Sequence, residues 1–411
     1  MKKTKVNKVS CVILMLFCIA VVLSLSQGVE AALFKVNSTD DSVDTLPGDG
    51  ICRTAAAVCT LRAAIQEANA LPGADEIRLK AAIYRLTLTG AGEDLAATGD
   101  LDITDSVTIV GKGAALTVVD GHHSDRVFHV FGPSPLVSFV GLKIQNGVIL
   151  SGTPAGGGIY NSGGTVTVNS CTITNNISAA QFGGGIFSYA GNLKVVSSRV
   201  IQNELYYQGG FAMGGGIASF LDVSLKIIGT KVADNFVSNV ADTAGTDDVA
   251  FGGGISIAGT AAVKIKSCKI LGNVADSWTL DEYISSGAGL HMLAVPNANI
   301  INTKIANNTS TGIAGYGGGV FALASNATFS GCTITENSAV GGFGGGGGGM
   351  FLEKGTDPMT ITINNLSSVT YNFASATFGG GIWNRGGAVT LNISADSVVA
   401  GNLQDDISLT P

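Results

Sequence analysis

Charge is scarce in these 411 residues: Asp, Glu, Lys and Arg make up only 13%, and a formal net charge of -7 leaves no basic excess to neutralise a phosphate backbone. That excludes a nucleic-acid partner. Histidine is rarer still, with His122, His123, His129 and His291 alone. Three of them fall in "DGHHSDRVFHV" without cysteine or glutamate at ligand spacing, which argues against zinc. No Gly-x-Ser-x-Gly elbow occurs, and Gly111-Lys112 lacks the spaced glycine of a phosphate loop. The run Gly344 to Gly349 fits a dinucleotide pattern only because every residue in it is glycine, with no βαβ context around it. Beyond the first thirty residues there is no apolar run long enough to span a bilayer, and residues 141–404 show no apolar residues at helical spacing.

What is present begins with a leader. Lys2, Lys3, Lys5 and Lys8 precede the apolar run Cys11 to Leu25 and the small-residue site Val29-Glu30-Ala31, so residues 1–31 read as a secretory signal peptide cut before Ala32. The expected location is secreted, extracellular or at the cell surface. Cleavage leaves Cys52, Cys59, Cys171, Cys268 and Cys332; export makes the close pair Cys52 and Cys59 a candidate disulfide. With 45% hydrophobic residues beside 58 glycines, the chain should fold around glycine corners rather than stay disordered.

A repeat dominates residues 141–404. Asn176, Asn203, Asn235, Asn273, Asn308, Asn337, Asn372 and Asn402 recur about every thirty residues, each three positions after Ile or Val, with Asn146 a looser match at the front. Five residues before each stands a small side chain: Cys171, Ser198, Thr230, Cys268, Thr303, Cys332, Ser367 or Ser397. Further upstream come apolar pairs spaced by two, such as Val166 and Val168 or Leu193 and Val195, and then a Gly-Gly-Gly-Ile element. Spacing by two predicts half-buried strands, and the odd step between the pairs predicts a bend. Each repeat therefore reads as three short strands, a corner at asparagine and a variable loop. The implied fold is all-β, a right-handed parallel β-helix of the pectin-lyase-like solenoid type, with asparagines stacked in a ladder and Cys171, Cys268 and Cys332 buried as free thiols.

Ahead of the repeats, residues 32–140 carry Leu61, Ala64, Ile65 and Ala68 at helical spacing, with Thr60 as N-cap and Pro72-Gly73 as a stop. A short helix here would cap the open end of the solenoid. The stretch Cys59-Thr60-Leu61-Arg62-Ala63-Ala64, continuing "IQEANALPGAD", resembles the signature of exported bacterial proteins with a CSLREA domain followed by right-handed β-helix repeats. Ala63 stands where the signature has glutamate, so the cap rests on Thr60 alone. The repeats are also similar to the Gly-Gly-x-Ile and Phe-x-x-Asn repeats of polymorphic outer-membrane proteins. This resemblance implies fold and export and assigns no activity. Residues 405–411 form a tail.

Two acidic sets stand out. Asp40, Asp41, Asp44 and Asp49 lie around Pro47-Gly48 and read either as a solvated turn or as a calcium site, the one cofactor the sequence offers. The loops after Asn203, Asn235 and Asn273 should sit side by side, bringing Asp242, Asp247, Asp248, Asp276, Asp281 and Glu282 near Tyr206, Tyr207, Trp278 and Tyr283. Carboxylates beside exposed aromatics suit a cell-surface or extracellular polysaccharide, the other reading being ordinary solvated loops. The expected role is adhesive, structural or glycan-binding without catalysis. The alternative is a polysaccharide lyase or glycoside hydrolase acting on acidic polysaccharide; against it, Arg199 and Lys231 face outward on neighbouring coils without an aspartate set beside them.

Overall fold

The computed structural model describes residues 31–150, 156–239, 249–277, 284–375, 378–385 and 389–410. The expected leader, residues 1–31, lies almost wholly outside them. One coil shows how the sequence builds the fold. Ile186–Tyr189, Asn192–Val196 and Arg199–Ile201 are strands separated by tight corners, and each pairs in parallel with its counterpart one coil on: Ile186 with Ile217, Leu193 with Leu225, Val200 with Val232. Because the register places like over like, Leu193, Val195, Val200 and Ile186 stack in a core that admits almost no solvent. Each such side chain contributes about 1.5–3 kcal/mol on burial, too little for one coil to offset about 1–2 kcal/mol of backbone ordering per residue, so stability is a property of the stack. Repeated along the chain, this is a right-handed parallel β-helix, and every strand pairing among the described residues is parallel. We call sheet 1 the file after the glycines, sheet 2 the file of Val-x-Ile type, and sheet 3 the file that ends at the asparagines.

The glycine triplet has two separate jobs. Gly183 takes φ +62°, a left-handed conformation that favours glycine. Gly184 and Gly185 instead allow close approach: a Cβ on Gly184 would lie 2.4 Å from the Gly215 carbonyl oxygen, and one on Gly185 would lie 2.6 Å from that of Gly216. No side chain fits there without moving backbone.

The asparagines do form a ladder. Asn176 Nδ2 donates to Asn203 Oδ1 at 2.9 Å, and the pattern continues without interruption through Asn372, whose Nδ2 donates to Asn402 Oδ1 at 3.0 Å. Each Oδ1 also accepts the backbone N–H of the preceding asparagine, as Asn273 Oδ1 does from Asn235. The left-handed backbone of each corner belongs to the residue before the asparagine: Asn175, Gln202, Asp234, Gly272, Asn307, Glu336, Tyr371 and Gly401 all have φ between 54° and 68°. Asn146 is one of these corner residues, at φ 57°, and the ladder position in its coil is Gly147, whose N–H donates to Asn176 Oδ1 at 2.9 Å. The ladder ends on Asp406, which accepts from Asn402 N and Nδ2, both at 3.0 Å.

The small-residue file is a second polar ladder. Cys171 N–H donates to Ser198 Oγ at 3.1 Å, Ser198 N–H to Thr230 Oγ1 at 3.3 Å, and Cys332 N–H to Ser367 Oγ at 3.0 Å. Cys171, Cys268 and Cys332 are free and buried, and burial pushes the Cys171 thiol up to about 11. All three are raised for that reason and stay protonated, as expected of inert core thiols.

The segment after each asparagine differs from the expectation of a variable loop. Glu204–Tyr207, Phe236–Asn239 and Val274–Ser277 run outward as strands, and Phe211–Met213, Val249–Phe251 and Ile284–Ser286 run back. Outgoing strands pair with outgoing and returning with returning, giving a fourth sheet folded on itself as a fin. Leu205, Ala212, Val237, Ala250, Ala275 and Ala288 form its own thin core. Ladder hydrogen bonds need only matched backbone, so these strands stack although "ELYY", "FVSN" and "VADS" share little sequence.

At the N-terminal end, helix α1 (Leu61–Ala70) lies where the capping helix was expected. Thr60 Oγ1 accepts the Ala63 N–H at 3.1 Å, and Leu61, Ala64, Ile65 and Ala68 enter the main core. Cys52 and Cys59 are disulfide-bonded. Among the described residues no helix is long and apolar enough to cross a membrane.

Candidate functional site

Of the residues expected to form a glycan face, the fin places three. Tyr206 and Asp276 share one row of the outgoing strands, with Ser238 between them and Thr311 beyond. Tyr206 is exposed and its hydroxyl donates to Glu204 Oε2 at 2.9 Å, while Asp276 Oδ1 accepts from Thr311 Oγ1 at 2.5 Å. Tyr207, one residue on, turns to the opposite face against the fin core. Asp242, Asp247, Asp248, Trp278, Asp281, Glu282 and Tyr283 lie outside the described residues.

The N-terminal acids are spread over separate tasks. Asp41 pairs with Arg62 and also accepts the Thr87 and Leu88 N–H groups. Asp44 accepts from Leu46 N and Arg53 N, Asp49 from Ile51 N, and Asp40 from Ser38 Oγ. These four do not gather three ligand oxygens within 4.8 Å of one another; Asp94, Asp102 and His129 do bring three ligand atoms that close.

That second group marks the most concentrated chemistry among the described residues. Asp102 and His129 are register partners on adjacent strands of sheet 1, Leu101–Ile103 and Phe128–Phe131, and both side chains point away from the main core. His129 Nδ1 sits 3.2 Å from Asp102 Oδ1 and 3.8 Å from Asp94 Oδ1. Asp102 is fully buried and its Oδ2 accepts the Ala96 N–H at 2.9 Å, whereas Asp94 is largely exposed. Beside them Arg126 Nε lies 2.6 Å from Asp100 Oδ2, with the guanidinium 5.5 Å above the Tyr160 ring. Burial pushes Asp100 up to about 8, outweighing the opposite pull of Arg126, and Asp125 is raised by burial as well. The segment from Asp94 to Asp100 is held by Arg62 of α1, wholly buried, whose guanidinium donates to the carbonyls of Ala96, Gly99 and Asp100 at 2.8–3.1 Å. The capping helix thus positions this cluster. The trio Asp94, Asp102 and His129 could hold a divalent cation.

From the cluster a row of rings runs along the outer face of sheet 1. His129 stacks on Phe131 at 4.4 Å and on Tyr160 at 4.9 Å; Tyr160 meets Phe187 at 5.3 Å. Phe182 lies on Phe187 at 4.8 Å and on Phe220 at 5.9 Å, and Tyr189 lies 5.9 Å from Phe220. Tyr160 and Phe187 are buried, but Tyr189 is 38% exposed and Phe131, Phe182 and Phe220 are half-buried, so the row presents an apolar surface over four coils. The sequence does carry a signal for it. The residue directly after each glycine-aliphatic element is Tyr160, Phe187, Ala218, Ser256, His291, Phe321, Phe351 or Trp383, and that position always points outward on sheet 1.

A family model described as "Right handed beta helix region" matches residues 250–402. No curated protein matches the chain. Among solved structures, the catalytic unit of a thermostable GH87 alpha-1,3-glucanase from Streptomyces thermodiastaticus strain HF3-3 is similar over 90% of this chain and 69% of that one, at 12% identity and a TM-score of 0.29. A likeness that slight assigns no residue a role.

Proposed function

We propose that this is an exported, non-catalytic β-helix that binds extracellular polysaccharide along the outer face of sheet 1. The observation that carries the reading is the partly exposed row from Phe131 to Phe220, ending in the His129, Asp102 and Asp94 cluster. The stacked rings turn their edges outward at coil intervals as an apolar strip for the apolar sides of successive sugars, and the carboxylate and imidazole at one end accept and donate to hydroxyls. Hydrolysis of a glycosidic bond by the common route uses two carboxyl groups that both reach the substrate. Here Asp100 and Asp102 are 3% and 0% exposed, leaving Asp94 as the reachable acid of the cluster, which favours binding over catalysis. The export signal and the resemblance to CSLREA-domain proteins support the location.

The test is a glycan array on the mature chain, followed by titration of the best ligand against Tyr189→Ala and Phe220→Ala. Loss of a central aromatic contact should weaken binding roughly tenfold. Unchanged binding in both variants would sink the assignment of this face, and release of shortened sugars on prolonged incubation would sink the non-catalytic reading.

A further inference from the structure

The outer faces of sheets 2 and 3 carry a concentration of positive charge that neither the core nor the ring row uses. On sheet 2, Lys194, Lys226 and Lys264 are register partners on successive coils, and all three are exposed. On sheet 3, Arg199, Lys231, Lys269 and Lys304 stand in the same relation over four coils. Lys266, the last residue of its sheet 2 strand, is exposed between the two rows. Eight of the 23 lysines and arginines, in a chain of net charge -7, are thus gathered on eight short strands. Those strands, from Asn192–Val196 to Lys304–Ala306, contain no aspartate or glutamate. Among the described residues only Lys231 of the eight cations has an ionic partner, Asp234 at 3.8 Å.

The fold does not call for these cations. One coil earlier the same positions hold Thr167 and Thr172, and beyond the patch they hold Thr328 and Thr333. Lysine guards exposed sheet edges, but every strand here lies inside its sheet. Like charges directly opposite on paired strands, about 4.8 Å apart, repel one another and destabilise the pair. A file of anions with the same advance removes that repulsion and releases the counterions held by both partners. Each sugar of an extended hexose chain advances by a similar length, so an acid group on each sugar meets a cation at each coil. No aromatic residue occurs in the eight strands, which disfavours the base stacking of a single-stranded nucleic acid. Seven of the eight cations are lysine, point charges rather than the planar forks that grip phosphate bidentately. We propose that this face binds a linear acidic polysaccharide, laid along the solenoid axis with its carboxylates on the two cation rows. It is a different face from the ring row of sheet 1 and does not rest on the reading of that row.

Titration of the mature chain with polygalacturonate tests this. The polymer should bind, and raising salt from roughly 50 to 200 mM should weaken binding about tenfold or more. Combining Lys226→Gln, Lys231→Gln, Lys264→Gln and Lys269→Gln should also cost about tenfold. The control set Lys35→Gln, Lys80→Gln, Lys112→Gln and Lys354→Gln, all at exposed positions, alters net charge equally and should leave binding within about twofold. Lys264→Glu alone should weaken binding roughly threefold, and it decides the matter if the first set unfolds the chain. No binding, binding indifferent to salt, equal losses in the two glutamine sets, or tighter binding of oligothymidylate or phosphatidylserine vesicles than of polygalacturonate would overturn the proposal. Loss through Tyr189→Ala with none through the lysine changes would overturn it too while sustaining the sheet 1 reading, so the two can fail separately.

Discussion

Replacing Asn273 by alanine cuts the asparagine ladder at its centre, and the cost can be worked from the contacts. Asn273 Oδ1 accepts from Asn235 N at 3.1 Å and from Asn235 Nδ2 at 2.9 Å; its Nδ2 donates to Val232 O at 3.2 Å and to Asn308 Oδ1 at 2.9 Å. All of this is sealed from water. The Asn235 N–H has no other partner among the described residues, so orphaning it costs about 1–3 kcal/mol. The three further hydrogen bonds are worth about 1 kcal/mol each, for a total near 4–6 kcal/mol. The Asn235 amide keeps its bond to Val200 O at 3.0 Å, which places the result toward the lower end. Asn402→Ala provides the internal control. Asn402 holds the same kinds of contact, but it is half-buried and bonds exposed Asp406, so water replaces what is lost and the cost should be about 1–2 kcal/mol. Urea unfolding followed by far-UV circular dichroism, with the m-value checked for constancy, measures both. Equal costs for the two variants, or a loss below about 1 kcal/mol for Asn273→Ala, would refute the claim that ladder amides are structural because they are sealed.

Gly184→Ala should lower the melting temperature markedly although alanine is the smallest replacement, since its Cβ would meet two backbone oxygens, those of Gly215 at 2.4 Å and Glu204 at 2.5 Å; an unchanged melt would show that the coils can separate freely there. Stability should also depend on pH through two groups of opposite sign. Asp100 is raised from 3.8 to about 8 by burial, so its contribution is complete below pH 3.8 and is lost as pH rises through 8, and Asp100→Asn should flatten that decline in melting curves taken from pH 4 to 9. His291 is lowered from 6.5 to about 3, so its contribution is present above pH 6.5 and is lost as pH falls toward 3; His291→Phe should remove this acid limb while keeping the ring stack.

The repeat was legible because stacking sets identical demands on each coil. A buried amide that must bond its own copy one coil on and still reach the backbone beside it suits the short side chain of asparagine, so Asn203 and Asn337 announce themselves. The cap was legible for a local reason, the spacing of Leu61, Ala64, Ile65 and Ala68 on one helical face. The fin was not, because Glu204–Tyr207 and Val274–Ser277 are strands by virtue of their neighbours across the stack and carry no shared pattern of their own. The His129 cluster was missed for another reason: Asp102 and His129 are 27 residues apart and meet only because the coil returns to the same place, so no spacing along the chain reveals them. The outward ring file could have been read, since it lies one residue past the most conspicuous motif, but the glycines that draw attention to that motif concern the corner and not the face beyond it.

Asp406 gives the ladder a direction and a stop. Every amide from Asn176 to Asn402 hands its proton toward the C-terminal side, so a ninth asparagine would leave a free donor there, ready to seed pairing with another molecule. A carboxylate accepts the last proton and has none to pass on. At the other end the file begins with a backbone N–H from Gly147, which is already spent on Asn176 and brings no amide to receive a neighbour's. Neither terminus of the ladder can splice onto the other. A polymer motif is thereby confined to one molecule, and the side-chain chemistry that makes the solenoid cohesive within itself makes it a poor template for fibre growth.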